Sequence, residues 1–208
     1  MEQDSLRRLL EAGGGEIDPD ALDRIRRHHD HLLTWNRTAH LVSAGDASLE
    51  ALTRHDLEAA QALPHLGAHK NLVDVGSGGG YPGLIWACCR PDLSVTLVEA
   101  NLRKAAFLRE AARLLDLPAV KIAHQRCATT HQLVVLGGDL WTTRAAGCTE
   151  LLLTAGKDVE AGSPTLILYA GADSADRLGK GEYPGWVCVS DEPLVSGAAG
   201  RLQVVRQA

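Results

Sequence analysis

The residues best suited to chemistry lie in a run of glycines that directly follows a short apolar stretch. Residues 71–75 have the β-branched, apolar character of a buried strand, and residues 74–83 then read Asp-Val-Gly-Ser-Gly-Gly-Gly-Tyr-Pro-Gly. Glycines let the backbone bend sharply and let a ligand approach without meeting a Cβ atom. In open α/β folds, a turn of this kind after the first strand binds nucleotides. Residues 74–83, here called the glycine segment, therefore predict a nucleotide-type site.

Two motifs can be read in the glycine segment, and they predict different ligands. Residues 78–83 fit GxGxxG, the dinucleotide fingerprint, whereas residues 74–80 fit DxGxGxG, which is typical of methyltransferases. The second motif begins at the strand end, and Pro82 then stands where a helix would begin. Pro82 also removes one of the N–H groups that a pyrophosphate needs at a helix N-terminus. We therefore favour S-adenosylmethionine over a dinucleotide.

An acidic residue at the end of the next predicted strand supports this choice. Residues 94–98 are β-branched and apolar, and Glu99 follows them directly. A carboxylate at this position can accept hydrogen bonds from both ribose hydroxyls of an adenosine. The alternative is that Glu99 only caps the helix that begins near Asn101. The glycine segment, the following helix and the acid together predict an S-adenosylmethionine site.

The predicted secondary structure that positions this site changes near residue 70. Before it, apolar residues at helical spacing predict two helices, one beginning near Pro19 and one over about 47–63. After it, β-branched runs alternate with helical stretches, which predicts a mostly parallel sheet with helices on both faces. We expect an N-terminal helical extension over 1–68 and an α/β, Rossmann-like methyltransferase domain over 69–208, which forms one compact unit. Later strands are predicted near 119–123, 139–143, 164–169, 186–190 and 202–205.

Composition and charge restrict the function classes. The 208 residues are 45% hydrophobic and 23% charged, which is typical of an ordinary globular domain with its own core. The net charge of −5 argues against a protein that coats nucleic acid by bulk electrostatics, although a local basic face is compatible with it. Five cysteines without a CxxC pair predict reduced thiols, and no apolar run approaches the length of a membrane span. We expect a cytoplasmic protein that does not bind membranes.

Several short segments resemble one protein family in their order and spacing. This family is the bacterial glucose-inhibited division protein B family, whose members methylate N7 of a guanine in small-subunit ribosomal RNA. The resemblance covers roughly residues 20–170, and the Gly-Tyr-Pro-Gly end of the glycine segment is its most specific part. The segments that carry it are Leu33-Thr34-Trp35-Asn36, Arg54-His55, residues 73–83, residues 103–109, Arg126 and Thr143-Arg144-Ala145.

The resemblance implies an activity, a cofactor and a partner. It predicts methyl transfer from S-adenosylmethionine to N7 of a guanine in 16S ribosomal RNA, with that RNA or the small ribosomal subunit as partner. We expect a monomer and no metal. Guanine N7 carries a lone pair and no proton, so no general base is expected and the catalytic residues stay unassigned. The alternatives are a methyltransferase acting on another RNA or a small molecule, and a non-catalytic RNA-binding relative.

The resemblance also implies particular cofactor contacts. The cofactor would contact the backbone at Gly76 and Tyr81, its adenine would lie against Cys127 and Ala128, and Arg144 would line the site. Together with the glycine motif and the ribose acid, the predicted cofactor-binding residues are Asp74, Gly76, Gly78, Gly80, Tyr81, Glu99, Cys127, Ala128 and Arg144.

Two arginines are candidates for positioning the substrate. Arg144 and Arg126 could hold the edge of the guanine or a neighbouring phosphate, since guanidinium groups suit both. For both arginines the alternative is a structural ion pair, with Glu99 or Asp74 as the candidate partner. His55 could contact RNA or cofactor, or be a hydrogen-bonded structural histidine.

Some positions depart from the residues that are usual in the family. His40 stands where asparagine is usual, Glu58-Ala59 replace Asp-Ser, and Cys127-Ala128 replace a pair of glutamates. Ala170 lies in a Tyr-Ala-Gly sequence where Lys-Gly is usual. A contact between adenine and the backbone does not depend on which side chain the residue carries. We therefore expect these departures to affect RNA handling and overall activity more than cofactor binding.

The first predicted helix offers a possible RNA contact. Arg24, Arg27, His28 and His31 fall opposite its apolar stripe and form a basic strip. The alternative is an ordinary solvated helix face. His28 and His31 also lie three residues apart, but no third ligand of suitable spacing accompanies them, so no metal site is predicted.

Overall fold

A sheet flanked by helices organises the chain. The structure is a computed structural model and describes residues 7–8, 18–144, 147–159, 162–171, 176–178 and 180–208. The strands are β1 (Asn71–Val75), β2 (Ser94–Glu99), β3 (Val120–His124), β4 (Leu140–Arg144), β5 (Thr165–Ala170), β6 (Trp186–Pro193) and β7 (Arg201–Gln207). The helices are α1 (Ala21–Ala39), α2 (Leu49–Gln61), α3 (Gly83–Cys89), α4 (Leu102–Leu114), α5 (Thr130–Leu136) and α6 (Thr149–Ala155), with short 3₁₀ turns at Ala44–Asp46, Leu63–His65 and Gly156–Asp158.

Strands β1 to β5 run parallel, and the last two strands turn back along one side of the sheet. Within the described residues, seven strands form one sheet in the order β3-β2-β1-β4-β5-β7-β6. Strand β7 pairs antiparallel with both β5 and β6. The predicted α/β fold with a mostly parallel sheet is confirmed. Because β1 lies between β2 and β4, the strand order reverses beside β1, and ligands of open α/β sheets bind at such a point.

The central strands β1 and β4 are buried along most of their length because helices cover both faces of the sheet. Leu72 packs into one apolar cluster and Val73 into the other, as the alternation of side chains along a strand requires. The first cluster includes the fully buried Trp86 and Phe107, and the second includes Trp141. The ends of the central strands are therefore held by packing on both sides.

The N-terminal helices pack into the same core as the sheet. Ile25 of α1 and Leu52 of α2 belong to the apolar cluster that contains Trp86 of α3. The indole N–H of Trp86 donates to the carbonyl oxygen of Ala59 in α2 at 2.8 Å. The division at residue 68 stays a prediction. No described helix is both long enough and apolar enough to cross a membrane.

The basic strip predicted on α1 is wrong, because its histidines face the interior of the protein. His28 is fully buried, and its Nε2 donates to the carbonyl oxygen of Gly79 at 2.8 Å. Burial lowers the pKa of His28 to about 3, so the ring is neutral at physiological pH. His31 stacks on Phe107 of α4 with ring centroids 5.3 Å apart. Helix α1 thus contacts the glycine segment instead of presenting this face to RNA.

The arginines of the predicted strip are also engaged within the protein. Arg24 pairs with Asp18 at 2.8 Å, and both side chains are largely shielded from solvent. Arg27 donates to the carbonyl oxygen of Leu114 at the end of α4. The bond of Arg27 attaches α1 to α4, and both arginines are thereby less free to contact phosphates.

Candidate cofactor site

The glycine segment bends where its backbone adopts the left-handed region. The φ angles of Gly76, Gly78 and Gly80 are +82°, +52° and +95°, which glycine adopts at no steric cost. The N–H groups of Gly76 and Ser77 donate to the carbonyl oxygen of Val98 at 2.8 and 3.1 Å, so the segment is tied to β2. A Cβ atom built on Gly78 would meet only the carbonyl oxygen of Gly76, at 3.8 Å. At Gly78 the segment therefore forms an open cradle of backbone that fits a close-lying ligand, while Gly79 and Gly80 pack against side chains of the interior.

Asp74 supports the glycine segment from the interior. Its Oδ2 accepts the N–H of Gly83, the first residue of α3, at 3.1 Å. A Cβ atom at Gly83 would lie 2.6 Å from that oxygen, so this packing requires glycine. Burial raises the pKa of Asp74 to about 7. The contacts of Asp74 fix the segment and the start of α3, and its direct contact with the cofactor stays a prediction.

Glu99 lies at the end of β2 and bonds to the glycine segment. Its Oε2 accepts the N–H of Gly78 at 3.0 Å, and its Oε1 accepts the N–H of Asn101 at 2.7 Å. The cap of α4 is supplied by Asn101, whose side-chain oxygen accepts the N–H groups of Arg103 and Lys104. A carboxylate has further lone pairs. Glu99 can therefore position the cradle and still accept ribose hydroxyls.

A cavity of about 140 Å³ opens between the glycine segment and the loop after β3. Its walls include Gly76, Glu99, Arg126 and Cys127, so the structure brings these four predicted residues together. Cys148, just before α6, also lines it and was missed, because no motif marks this residue in the sequence. These residues fit an adenosine. The carboxylate of Glu99 can bind the ribose hydroxyls, and the side chains of Cys127 and Cys148 offer an apolar surface to the adenine.

Ala128 does not line this cavity. Its N–H donates to Oε1 of Gln132 at 2.8 Å, within the capping box that begins α5 at Thr129. That N–H is thus already used by the protein. An adenine contact at Ala128 stays a prediction and would need another atom of this residue.

Arg144 forms a second group of polar side chains at the end of β4. Its Nη2 donates to the carboxylate of Glu58 and to Nδ1 of His55, the latter at 2.6 Å. Glu58 also accepts the hydroxyl of Ser196, and the hydroxyl of Tyr169 donates to the carbonyl oxygen of Glu58 at 3.0 Å. These five residues, here called the Arg144 cluster, come from α2, β4, β5 and the β6–β7 connection.

The charges of the Arg144 cluster leave one donor unused. The suggested ion pair of Arg144 with Glu99 or Asp74 is wrong, because its partner is the buried Glu58. Burial opposes ionisation of Glu58, but the charge of Arg144 and the hydrogen bond from Ser196 help to lower the pKa of Glu58. Nη1 of Arg144 is buried and has no hydrogen-bond partner among the described residues. A buried donor without an acceptor is costly, which suits a group that meets a ligand.

Tyr81 connects the glycine segment to the Arg144 cluster. It belongs to the glycine segment, and its ring lies 5.3 Å from the rings of both His28 and His55, measured between centroids. The backbone contact predicted at Tyr81 would therefore lie beside the Arg144 cluster. No group of three or more potential metal ligands occurs among the described residues.

Comparison with known proteins agrees with this geometry. The fold and the site define a Rossmann-like, S-adenosylmethionine-dependent methyltransferase. The SAH-bound methyltransferase PaMTH1 of Podospora anserina superposes with a TM-score of 0.64, covering 99% of this chain and 95% of that chain at 15% identity. The family described as GidB, rRNA small subunit methyltransferase G, matches residues 21–184. The chain belongs to this family.

Individual relatives support the same assignment. The ribosomal RNA small subunit methyltransferase G of Neisseria gonorrhoeae is 36% identical over 143 residues, which cover 69% of this chain and 67% of that protein. The protein of the same name from Anaeromyxobacter is 40% identical over 114 residues, covering 55% and 53%. The family resemblance of the motifs is thereby confirmed.

Proposed function

We propose that this chain transfers a methyl group from S-adenosylmethionine to N7 of a guanine in 16S ribosomal RNA, acting as a cytoplasmic monomer. The observation that carries the proposal is Nη1 of Arg144, which is buried without a partner among the described residues and lies at the end of the strand next to β1. A guanidinium donor at this place suits the acceptor-rich edge of a guanine. The family membership and the printed names of the relatives support ribosomal RNA as the acceptor.

The cofactor would be held mainly by backbone and by one carboxylate. Gly76 and Gly78 leave room for the ligand against the main chain, and Glu99 accepts the ribose hydroxyls. Cys127 and Cys148 form the apolar wall for adenine. When bound, S-adenosylmethionine supplies a methyl group on a positively charged sulfur.

The residues of this chain contribute orientation more than proton transfer. N7 of guanine already carries the attacking lone pair, so a general base is not needed. Alignment of the two reactants and exclusion of water supply most of the acceleration in such a displacement. In our proposal Nη1 of Arg144 donates to O6 of the guanine and leaves the neighbouring N7 free to react.

The other members of the Arg144 cluster hold the guanidinium in one orientation. Glu58 and His55 both accept from Nη2, so rotation of the guanidinium would break two bonds. Ser196 fixes the second carboxylate oxygen of Glu58.

Methyl transfer with purified components tests this proposal. We expect the chain to methylate small ribosomal subunits that lack N7-methylguanosine, at one guanine and close to stoichiometrically, and to leave large subunits unmodified. Mass spectrometry of digested RNA locates the methyl group. Cofactor binding without transfer would instead indicate a non-catalytic RNA-binding relative. Transfer to a different RNA or to a small molecule would show that the acceptor is wrong.

A further inference from the structure

Positive charge is concentrated in one stretch of an otherwise acidic chain. Residues 102–126 contain six Arg or Lys and two Asp or Glu, which gives a net charge of +4, against −5 for the whole chain. This stretch comprises α4, β3 and the loop that follows. Because β3 is the outermost of the described strands on its side of the sheet, the positive charge lies along one edge of the sheet.

Five cations of this stretch are exposed and available. They are Arg103, Arg109, Arg113, Lys121 and Arg126, here called the basic edge. None of them forms an ion pair within the part of the chain that the structure describes. Arg103 only donates to the carbonyl oxygen of Thr38, at 3.4 Å.

Several exposed cations elsewhere on the surface are engaged by carboxylates. Arg26 lies 3.1 Å from Asp23 on α1, and Arg177 lies 2.8 Å from Glu150. Lys180 pairs with a carboxylate in the same way. These ion pairs reduce the local field of each cation, whereas the field of the basic edge is not offset in this way.

The geometry of the basic edge suits a chain of phosphates. Arg109 and Arg113 lie one helical turn apart and line a groove of about 330 Å³. The groove is also lined by Asp116 and by apolar residues of β3. From Arg103 to Arg113 the helix rises about 15 Å. The outer side of β3 also presents backbone N–H groups, as an unpaired edge strand does.

The basic edge continues into the cofactor site. Arg126 lines the cavity that contains Glu99, while Arg103 lies in the first turn of α4, beside the residue that caps it. A nucleic acid that follows the edge therefore reaches the rim of the site. The negative charge of the remaining surface repels phosphates, which favours approach along this edge.

We propose that the basic edge binds backbone phosphates of the RNA that carries the target guanine. The inference rests on the proposed function and extends it from the acceptor base to the flanking RNA. Guanidinium groups make paired, charge-assisted bonds to phosphate oxygens. Binding here breaks no ion pair of the protein, so the electrostatic gain is not offset by a lost internal interaction.

Removing three charges from the middle of the edge tests the proposal. The variant Arg109→Gln, Arg113→Gln, Lys121→Gln is compared with wild type for binding to small ribosomal subunits over a range of salt concentrations. We expect the slope of log affinity against log salt to become shallower by about 2–3, because each lost phosphate contact removes about 0.7–0.9. Thermal stability and S-adenosylmethionine affinity should not change, since the three side chains are exposed and form no ion pair.

A matched variant controls for the change in net charge. Arg26→Gln, Arg177→Gln, Lys180→Gln removes the same charge from exposed positions that carry ion pairs. We expect its salt slope and its affinity for the subunits to match those of wild type.

The outcomes separate this inference from the proposed function. Equal salt slopes in the two triple variants would overturn the phosphate contact, and so would weaker binding with an unchanged slope, because a protein partner would then be indicated. Failure of the wild-type chain to bind subunits would also overturn it. If wild type binds and the triple variant has the shallower salt slope, but wild type never methylates N7, the proposed function is wrong. The contact between the basic edge and RNA phosphates is then still supported.

Discussion

Replacing Gly78 by valine is expected to weaken S-adenosylmethionine binding by at least about 100-fold, which corresponds to about 2.7 kcal/mol. The added side chain would enter the open space above the glycine segment, where only the carbonyl oxygen of Gly76 lies within 4 Å. Calorimetry measures the loss. The φ angle of +52° also strains any residue with a Cβ atom, at a cost of about 1–2 kcal/mol.

A second glycine serves as the control for that strain. Gly67 has a φ angle of +50° and has no atom within 4 Å of a built Cβ, but it precedes β1 and lies outside the cofactor site. We expect Gly67→Val and Gly78→Val to lower the melting temperature by similar amounts. Only Gly78→Val should lose the cofactor. Wild-type affinity in Gly78→Val would contradict the glycine segment as the place where the cofactor binds.

The second large effect is expected from Arg144. Arg144→Met should lower kcat/KM for ribosomal subunits by about 100-fold or more, because the donor that orients the guanine for the displacement is lost. It should also cost about 3–5 kcal/mol of stability, since the buried carboxylate of Glu58 loses its ionic partner. A loss of activity in this variant therefore needs a second variant to interpret it.

The double variant Arg144→Met, Glu58→Gln separates the two causes. It removes the unpaired charge along with the arginine, so the free energy of unfolding should recover most of its loss. Methylation should remain as low as in Arg144→Met. Denaturant titrations and single-turnover assays on the same preparations give both quantities. Recovery of methylation together with stability would mean that Arg144 serves only as a structural partner of Glu58.

The parts of the site that the sequence predicts are those built from neighbouring residues. The glycine segment follows a strand whose apolar run is unmistakable, and the position of Glu99 follows from the next strand. Both lie at carboxyl ends of adjacent parallel strands, so the fold class alone brings them together. Their spacing is local, and pattern reasoning is most reliable there.

The Arg144 cluster could not be predicted, because its contacts cross long stretches of chain. Glu58 lies on α2 and meets Arg144 only after the N-terminal helices pack against the sheet. Its one signal in the sequence is its place just after Arg54-His55. Cys148 likewise reaches the cofactor cavity only because the loops after β3 and β4 lie side by side.

Two errors have local physical causes. The basic strip on α1 failed because polar residues opposite an apolar stripe were assumed to face water, whereas His28 bonds to Gly79 in the interior. No helix was predicted at α5 or α6, because each has seven residues, too few for a periodic apolar pattern to stand out. The Thr129 and Gln132 capping box was the available signal for α5.

The most direct test of the central claim is a map of methylated guanines in 16S ribosomal RNA from cells that lack this chain. We expect one N7-methylguanine to disappear, to return when the wild-type chain is supplied, and to stay absent when the Gly78→Val chain is supplied at an equal level. An unchanged pattern of guanine methylation in the cells that lack the chain would contradict the proposed function.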